Sequence, residues 1–167
     1  MSKIYGVVVG IVTQVKAGEV KLNFPWLDDS HETDWVRIAT AMSGNNRGTF
    51  YMPEVADEVL CAFDQGNPRI PYVIGFLWNG KDQTPATDTR ERTIRSKNGH
   101  AIRFLDSTVT NGDAGALIIQ DANGNVITMS NGKITIKSTS ILELSAPTIT
   151  LGGEGWRRVI APNGNPI

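Results

Sequence analysis

No window of eleven or more residues in this chain sets apolar side chains at i, i+3, i+4 and i+7 between capping residues. That removes the pattern an amphipathic helix requires. What remains are short runs rich in Val, Ile and Thr, broken by Gly, Asn, Asp and Pro. Such runs read as strands separated by turns, so the fold class is all-β.

The first eighty residues divide into about five strands. Residues 4–14 and 19–24 flank the turn Lys16-Ala17-Gly18, a hairpin signal. In the second strand Val20, Leu22 and Phe24 alternate with Glu19, Lys21 and Asn23, which predicts one buried and one wet face. An acidic loop follows, Asp28-Asp29-Ser30-His31-Glu32-Thr33-Asp34, then a third strand at 35–40, a glycine-rich loop at 43–48, and strands at 58–63 and 72–78. Five short strands suit a small closed barrel, which leaves no edge unpaired.

Residues 81–95 are polar without apolar periodicity and read as a linker between a domain at 1–80 and a second one at 96–152. In the second domain Asn98-Gly99, Asn123-Gly124 and Asn131-Gly132 each precede a short β-branched run, as repeated hairpin corners do. Ile134, Ile136, Leu142, Leu144 and Ala146 share one parity with Ser138 and Ser140, while Lys133, Thr135, Lys137, Thr139, Glu143 and Ser145 share the other, with Ile141 the exception. After Pro147 the apolar phase slips by one, to Ile149 and Leu151, as at a bulge or corner. Residues 96–152 thus supply one apolar face per strand and no helix to cover it. A sheet of that kind is sticky alone, so the pattern predicts self-association and leaves its order open.

Charge and cysteine content narrow the function classes. The formal net charge is −1, which gives no general hold on nucleic acid or anionic lipid. Cys61 is the only cysteine, so no intrachain disulfide forms and a reducing compartment is expected. The apolar run from Ile4 to Val12 is too short to span a bilayer and is followed by no small-x-small cleavage site. A buried first strand is expected there, with cytoplasmic assembly and no signal peptide. Phosphate loops, dinucleotide fingerprints and paired-cysteine zinc spacings do not occur. No catalytic residue, cofactor or metal is therefore expected, and the chain reads as a non-enzyme.

Several strings carry a family likeness. Val20-Lys21-Leu22-Asn23-Phe24-Pro25-Trp26, Trp35-Val36-Arg37-Ile38-Ala39, Met52-Pro53-Glu54-Val55-Ala56-Asp57-Glu58-Val59-Leu60 and Phe63-Asp64-Gln65-Gly66-Asn67-Pro68-Arg69-Ile70-Pro71-Tyr72 resemble the OB-fold domain of phage baseplate spike proteins. Ile94-Arg95-Ser96-Lys97-Asn98-Gly99-His100-Ala101-Ile102-Arg103-Phe104 resembles the start of the β-helical needle in those proteins. The relatives are phage baseplate assembly protein V and the valine-glycine-repeat (VgrG) spikes of type VI secretion. The resemblance implies an N-terminal OB-fold barrel followed by a trimeric β-helix or β-prism needle. It implies a homotrimer packed on an axis of Ile134, Ile136, Leu142, Leu144, Ile149 and Leu151. It also implies a structural central spike that pierces a target envelope when a sheath contracts, in a phage tail or phage-tail-like baseplate, and is ejected on contraction. VgrG proteins carry a hub region before the OB domain, so a separate trimeric hub protein is expected here. The segment 81–95 is too short for the lysozyme domain some phage spikes insert there.

Individual residues were candidates for other roles. Asp28, Asp29, His31, Glu32 and Asp34 cluster acids, but their spacing matches no calcium loop. His100 is expected at an exposed turn, and Cys61, inside Val59–Phe63, in a core. OB folds also bind single-stranded nucleic acid, and Trp35 with Arg37 is the one platform this sequence offers for it. No aromatic stands at Glu19, Lys21 or Asn23 of the second strand, so nucleic acid is not expected as a ligand. At the end of the needle, Thr150, Gly152, Gly153 and Trp156 are the expected seat of a PAAR-like tip protein. Residues 153–167 form a tail, with Trp156, Val159 and Ile160 either docking that partner or folding back over the end.

Overall fold

The computed structural model describes residues 3–108 and 112–160; of residues 28–31 and 160 only the backbone is described. The chain divides into two compact units, Met1–Thr84 and Pro85–Ile167. Among the described residues there is no α-helix, only a 3-10 turn at Asp64–Gly66.

In the first unit β1 (Val7–Lys16), β2 (Glu19–Phe24), β4 (Val36–Ile38), β7 (Glu58–Phe63) and β8 (Pro71–Leu77) close into a five-stranded barrel. The circuit runs β1-β7-β8-β4-β2 and returns to β1; β4 and β8 pair in parallel, the other neighbours antiparallel. Alternation decides what fills it: Val20, Leu22 and Phe24 of β2 point inward, as do Val59, Cys61 and Phe63 of β7. With Val12, Val36 and Val73 they form one core. Gly10 of β1 leaves room for the Phe24 ring, since a Cβ there would meet it at 3.0 Å.

The segment expected as an acidic loop is a strand along part of its length. β3 (Asp28–Glu32) adds to β2 through Asn23–Glu32 and Phe24–Asp28. Backbone pairing overrides its polar composition. Glu32 accepts hydrogen bonds from Thr13 Oγ1 at 2.7 Å, Gln14 Nε2 at 3.0 Å and Lys21 Nζ at 3.0 Å. These partners, Thr13 first, hold its carboxyl below the usual range. The glycine-rich loop contains a minimal ladder of β5 (Ser43–Gly44) and β6 (Arg47–Gly48).

The second unit opens with an antiparallel meander: β9 (Glu91–Arg95), β10 (Ala101–Leu105), β11 (Ala116–Gln120), β12 (Val126–Ser130) and β13 (Lys133–Lys137). The expected linker 81–95 therefore ends in a strand. One apolar residue, Ile94, was too little periodicity to show it; what fixes it is pairing of Ile94 with Ile102 and the Arg103–Glu91 ion pair at 2.7 Å. Of the three Asn-Gly corners only Asn131-Gly132 has both residues at positive φ, 49° and 72°, as a two-residue primed turn requires. At 98–99 and 123–124 only the glycine is left-handed, and Ser96 or Asp121 closes a longer turn.

Residues 138–148 belong to no strand, and a separate hairpin follows, β14 (Ile149–Gly153) with β15 (Trp156–Ile160). In the single chain, then, residues 96–152 form a meander and half a hairpin rather than a β-helix, because each strand bonds its sequence neighbour. Of the tail expected at 153–167, Gly153 ends β14, a turn follows at 154–155 and Trp156–Ile160 form β15; residues 161–167 lie outside the described residues.

Candidate functional site

The meander places its apolar side chains in register. Ile94, Ile102, Ile119, Ile127 and Ile136 stand directly opposite one another across all five strands. A second row on the same face holds Phe104, Leu117, Met129 and Ile134, with Arg92 at its β9 end. Side chains two residues apart on a strand share a face, so the two rows make one apolar surface. Seven of its nine apolar side chains are exposed among the described residues, from Ile127 at 37% to Ile134 at 68%, and Leu117 and Met129 are half-buried. The opposite face is mixed, with Thr93, Arg103, Ile118, Thr128 and Thr135 across its middle. There Arg103 grips both carboxylate oxygens of Glu91, at 2.7 and 2.8 Å, which lowers the Glu91 pKa.

Of the residues expected on an oligomer axis, Ile134 and Ile136 lie in this surface. Leu142 and Leu144 lie in the strandless segment, both exposed, and Ile149 and Leu151 lie in β14. Ile94, Ile102, Phe104, Ile119 and Ile127 were missing from the expected list. Each short strand carried its own alternation, but only the register shows that they line up.

The corner after β13 is held firmly. Asn125 Oδ1 accepts from Thr139 N at 2.9 Å and from Ser138 Oγ at 3.2 Å, and Asn125 Nδ2 donates to Asp121 Oδ2 at 2.7 Å. Ser138 Oγ also donates to the Ile141 carbonyl at 2.9 Å. The chain thereby folds back toward β12, and Ile141 and Leu142 line a groove with Ile119, Ile127 and Ile136.

At the far hairpin, Gly153 pairs with Trp156, Gly152 with Arg157 and Thr150 with Val159. One backbone edge of the expected tip seat is thus occupied by β15. The Trp156 indole lies against Gly153, where any Cβ would collide with it, and remains 55% exposed. Val159 is exposed and bonded into the hairpin; the Ile160 side chain lies outside the described residues.

On the barrel, the two halves of the supposed nucleic-acid platform are separately engaged. Lys16 Nζ sits 4.3 Å and Lys21 Nζ 5.4 Å from the Trp35 ring centroid. Arg37 stacks on Tyr72 at 4.9 Å and donates to its hydroxyl at 3.0 Å. Single-stranded DNA is expected to bind more weakly than micromolar at physiological salt. Tighter, salt-sensitive binding that is lost on Trp35→Ala and Arg37→Ala would restore the nucleic-acid reading.

Among the described residues no group of three or more His, Cys, Asp and Glu side chains is arranged to hold a metal. The Asp28, Asp29 and His31 side chains lie outside those residues. His100 is exposed at the β9–β10 turn, where its Nδ1 accepts from Ala122 N at 3.3 Å. Cys61 is fully buried, and burial pushes its thiol up to about 12. Folded protein at pH 8 should leave this thiol unreacted with a disulfide reagent, and denatured protein should react in full. Reaction of the folded chain at the rate of an exposed thiol would contradict the barrel core.

Comparison with known proteins now adds to this geometry. Residues 4–78 match the type VI secretion system/phage-baseplate injector OB domain. The spike protein VgrG1a of Pseudomonas aeruginosa is 31% identical over 97 residues, covering 52% of this chain and 15% of the relative. The spike protein VgrG3 of Vibrio cholerae is 30% identical over 89 residues, covering 50% of this chain and 9% of the relative. The actin cross-linking toxin VgrG1 of Vibrio cholerae is 29% identical over 80 residues, or 7% of its length. The chain thus spans a small fraction of the curated relatives it matches. The family match falls on the barrel, which is similar to an injector OB domain.

Proposed function

We propose that this VgrG-like chain is a structural subunit of the central spike of a contractile tail or injection machine, and that it works as a homotrimer. The observation that carries the proposal is the uncovered apolar face of the meander. Full burial of each such isoleucine is worth about 1.5–3 kcal/mol, so seven exposed apolar side chains on one surface favour association strongly. Second and third copies of the same chain supply matching faces. The order three comes from the likeness to spike subunits.

In this reading the OB barrel joins a separate trimeric hub, and the meander unit becomes a β-helical or prism-like shaft in the assembly. The role is mechanical rather than enzymatic: the spike transmits sheath contraction to the target envelope. A small tip-capping protein of the PAAR kind is the expected partner at the β14–β15 hairpin, with Thr150, Gly152, Gly153 and Trp156 at the contact. Assembly takes place in the cytoplasm, and the spike leaves with the ejected tube. Particles purified from cells making a tagged chain should carry the tag before contraction and lack it afterwards. Equal tag content in extended and contracted particles would contradict ejection.

A further inference from the structure

We infer that His100 is an acid-sensitive tie between two turns of the meander, closed while its ring is neutral and opened when the ring gains a proton. Hydrogen bonds join three chain reversals at one end of the apolar surface, at residues 96–100, 121–125 and 138–141. In the first, Ser96 N donates to the His100 carbonyl at 2.8 Å and His100 N donates to Ser96 Oγ at 3.1 Å. These bonds fix the backbone of residue 100, and its ring reaches the second reversal, where Nδ1 accepts from Ala122 N at 3.3 Å. The Asp121 carboxylate holds that turn, accepting from Asn123 N at 2.9 Å, Asn125 N at 2.8 Å and Asn125 Nδ2 at 2.7 Å. Asn125 then secures Ser138 and Thr139 in the third.

Only one of these joints changes state near neutral pH. The amide and hydroxyl groups do not titrate, and the Asp121 carboxyl, held low by Asn125 first, stays ionised. Imidazole is the side chain whose charge ordinarily changes between about pH 5 and 8. A neutral ring that accepts at Nδ1 carries its proton on Nε2, and a second proton makes Nδ1 a donor. Two donors then face each other, and the tie to Ala122 is lost.

The neighbouring charges do not replace it. Arg95 and Lys97 stand on the same hairpin as His100, and a Cβ at Gly99 would lie 3.8 Å from Arg95 Nη2 and 3.9 Å from the Ala122 Cβ. Asp121 is the one anion in the two turns and already accepts from three donors. Lys137 and Glu143 line a groove together with Asp121 and Asn125. The β9–β10 hairpin carries Ile94, Ile102 and Phe104, so acid loosens one side of the surface that the homotrimer reading buries. The tie itself does not depend on that reading.

The test is hydrogen exchange of the Ala122 amide in the full chain at about pH 7.5 and about pH 5.5, corrected for the intrinsic pH dependence of exchange. Wild type should protect this amide at the higher pH and lose protection several-fold at the lower. His100→Asn places a non-titrating Oδ1 where Nδ1 stands and should protect it at both. His100→Phe offers no acceptor and should protect it at neither. Protection that persists in wild type at the lower pH, or in His100→Phe, overturns the inference. An equal loss in wild type and His100→Asn overturns it too. Should a variant not fold, wild type decides alone: the nitrogen chemical shift of the Ala122 amide should follow protonation of the His100 ring with one shared midpoint. An amide that does not move with the ring overturns the inference. Each outcome reads the same in a monomer and a trimer, so failure here leaves the homotrimer reading standing.

Discussion

Replacing Ile136 by Asp should abolish the assembled particle, leaving monomers or aggregates. Ile136 ends the five-isoleucine row and is 52% exposed in the single chain. A carboxylate there would have to be desolvated in the interface at an effective penalty of several kcal/mol, and a threefold axis imposes it three times. It would also forfeit the roughly 1.5–3 kcal/mol per copy that isoleucine burial contributes. The barrel should be untouched, since its core shares no residue with the meander face. A stable trimer of this variant would remove Ile136 from the interface.

The complementary expectation is that Leu22→Ala damages the barrel and spares the assembly. Leu22 is fully buried among Val12, Val20, Val59, Cys61 and Val73. Truncating such a side chain costs about 2–5 kcal/mol, set by how far the cavity relaxes. For a unit of this size that lowers the melting temperature by about 8 °C or more. The variant should still self-associate through the meander. A loss below about 1 kcal/mol by denaturant titration would mean that the barrel core is not as described.

Legibility in the sequence followed the strength of local patterns. Val20, Leu22 and Phe24 against Glu19, Lys21 and Asn23 gave β2 its span and its buried face, and all three apolar residues are buried. Asn131-Gly132 marked its hairpin because both residues adopt the left-handed backbone the turn demands. β3, β9 and β15 were missed for a shared reason. Asp28–Glu32 and Glu91–Arg95 are polar, and Trp156–Ile160 contains two adjacent arginines. Their strand character comes from a partner's backbone rather than from their own alternation. The apolar surface was half legible: its existence followed from one apolar face per strand, but its membership depends on register, which no single strand encodes.

The most direct measurement is the mass of the purified chain by multi-angle light scattering at dilute concentration. A monodisperse particle of three 18.1 kDa chains is expected. A monodisperse, folded monomer with the apolar face open to water would contradict it.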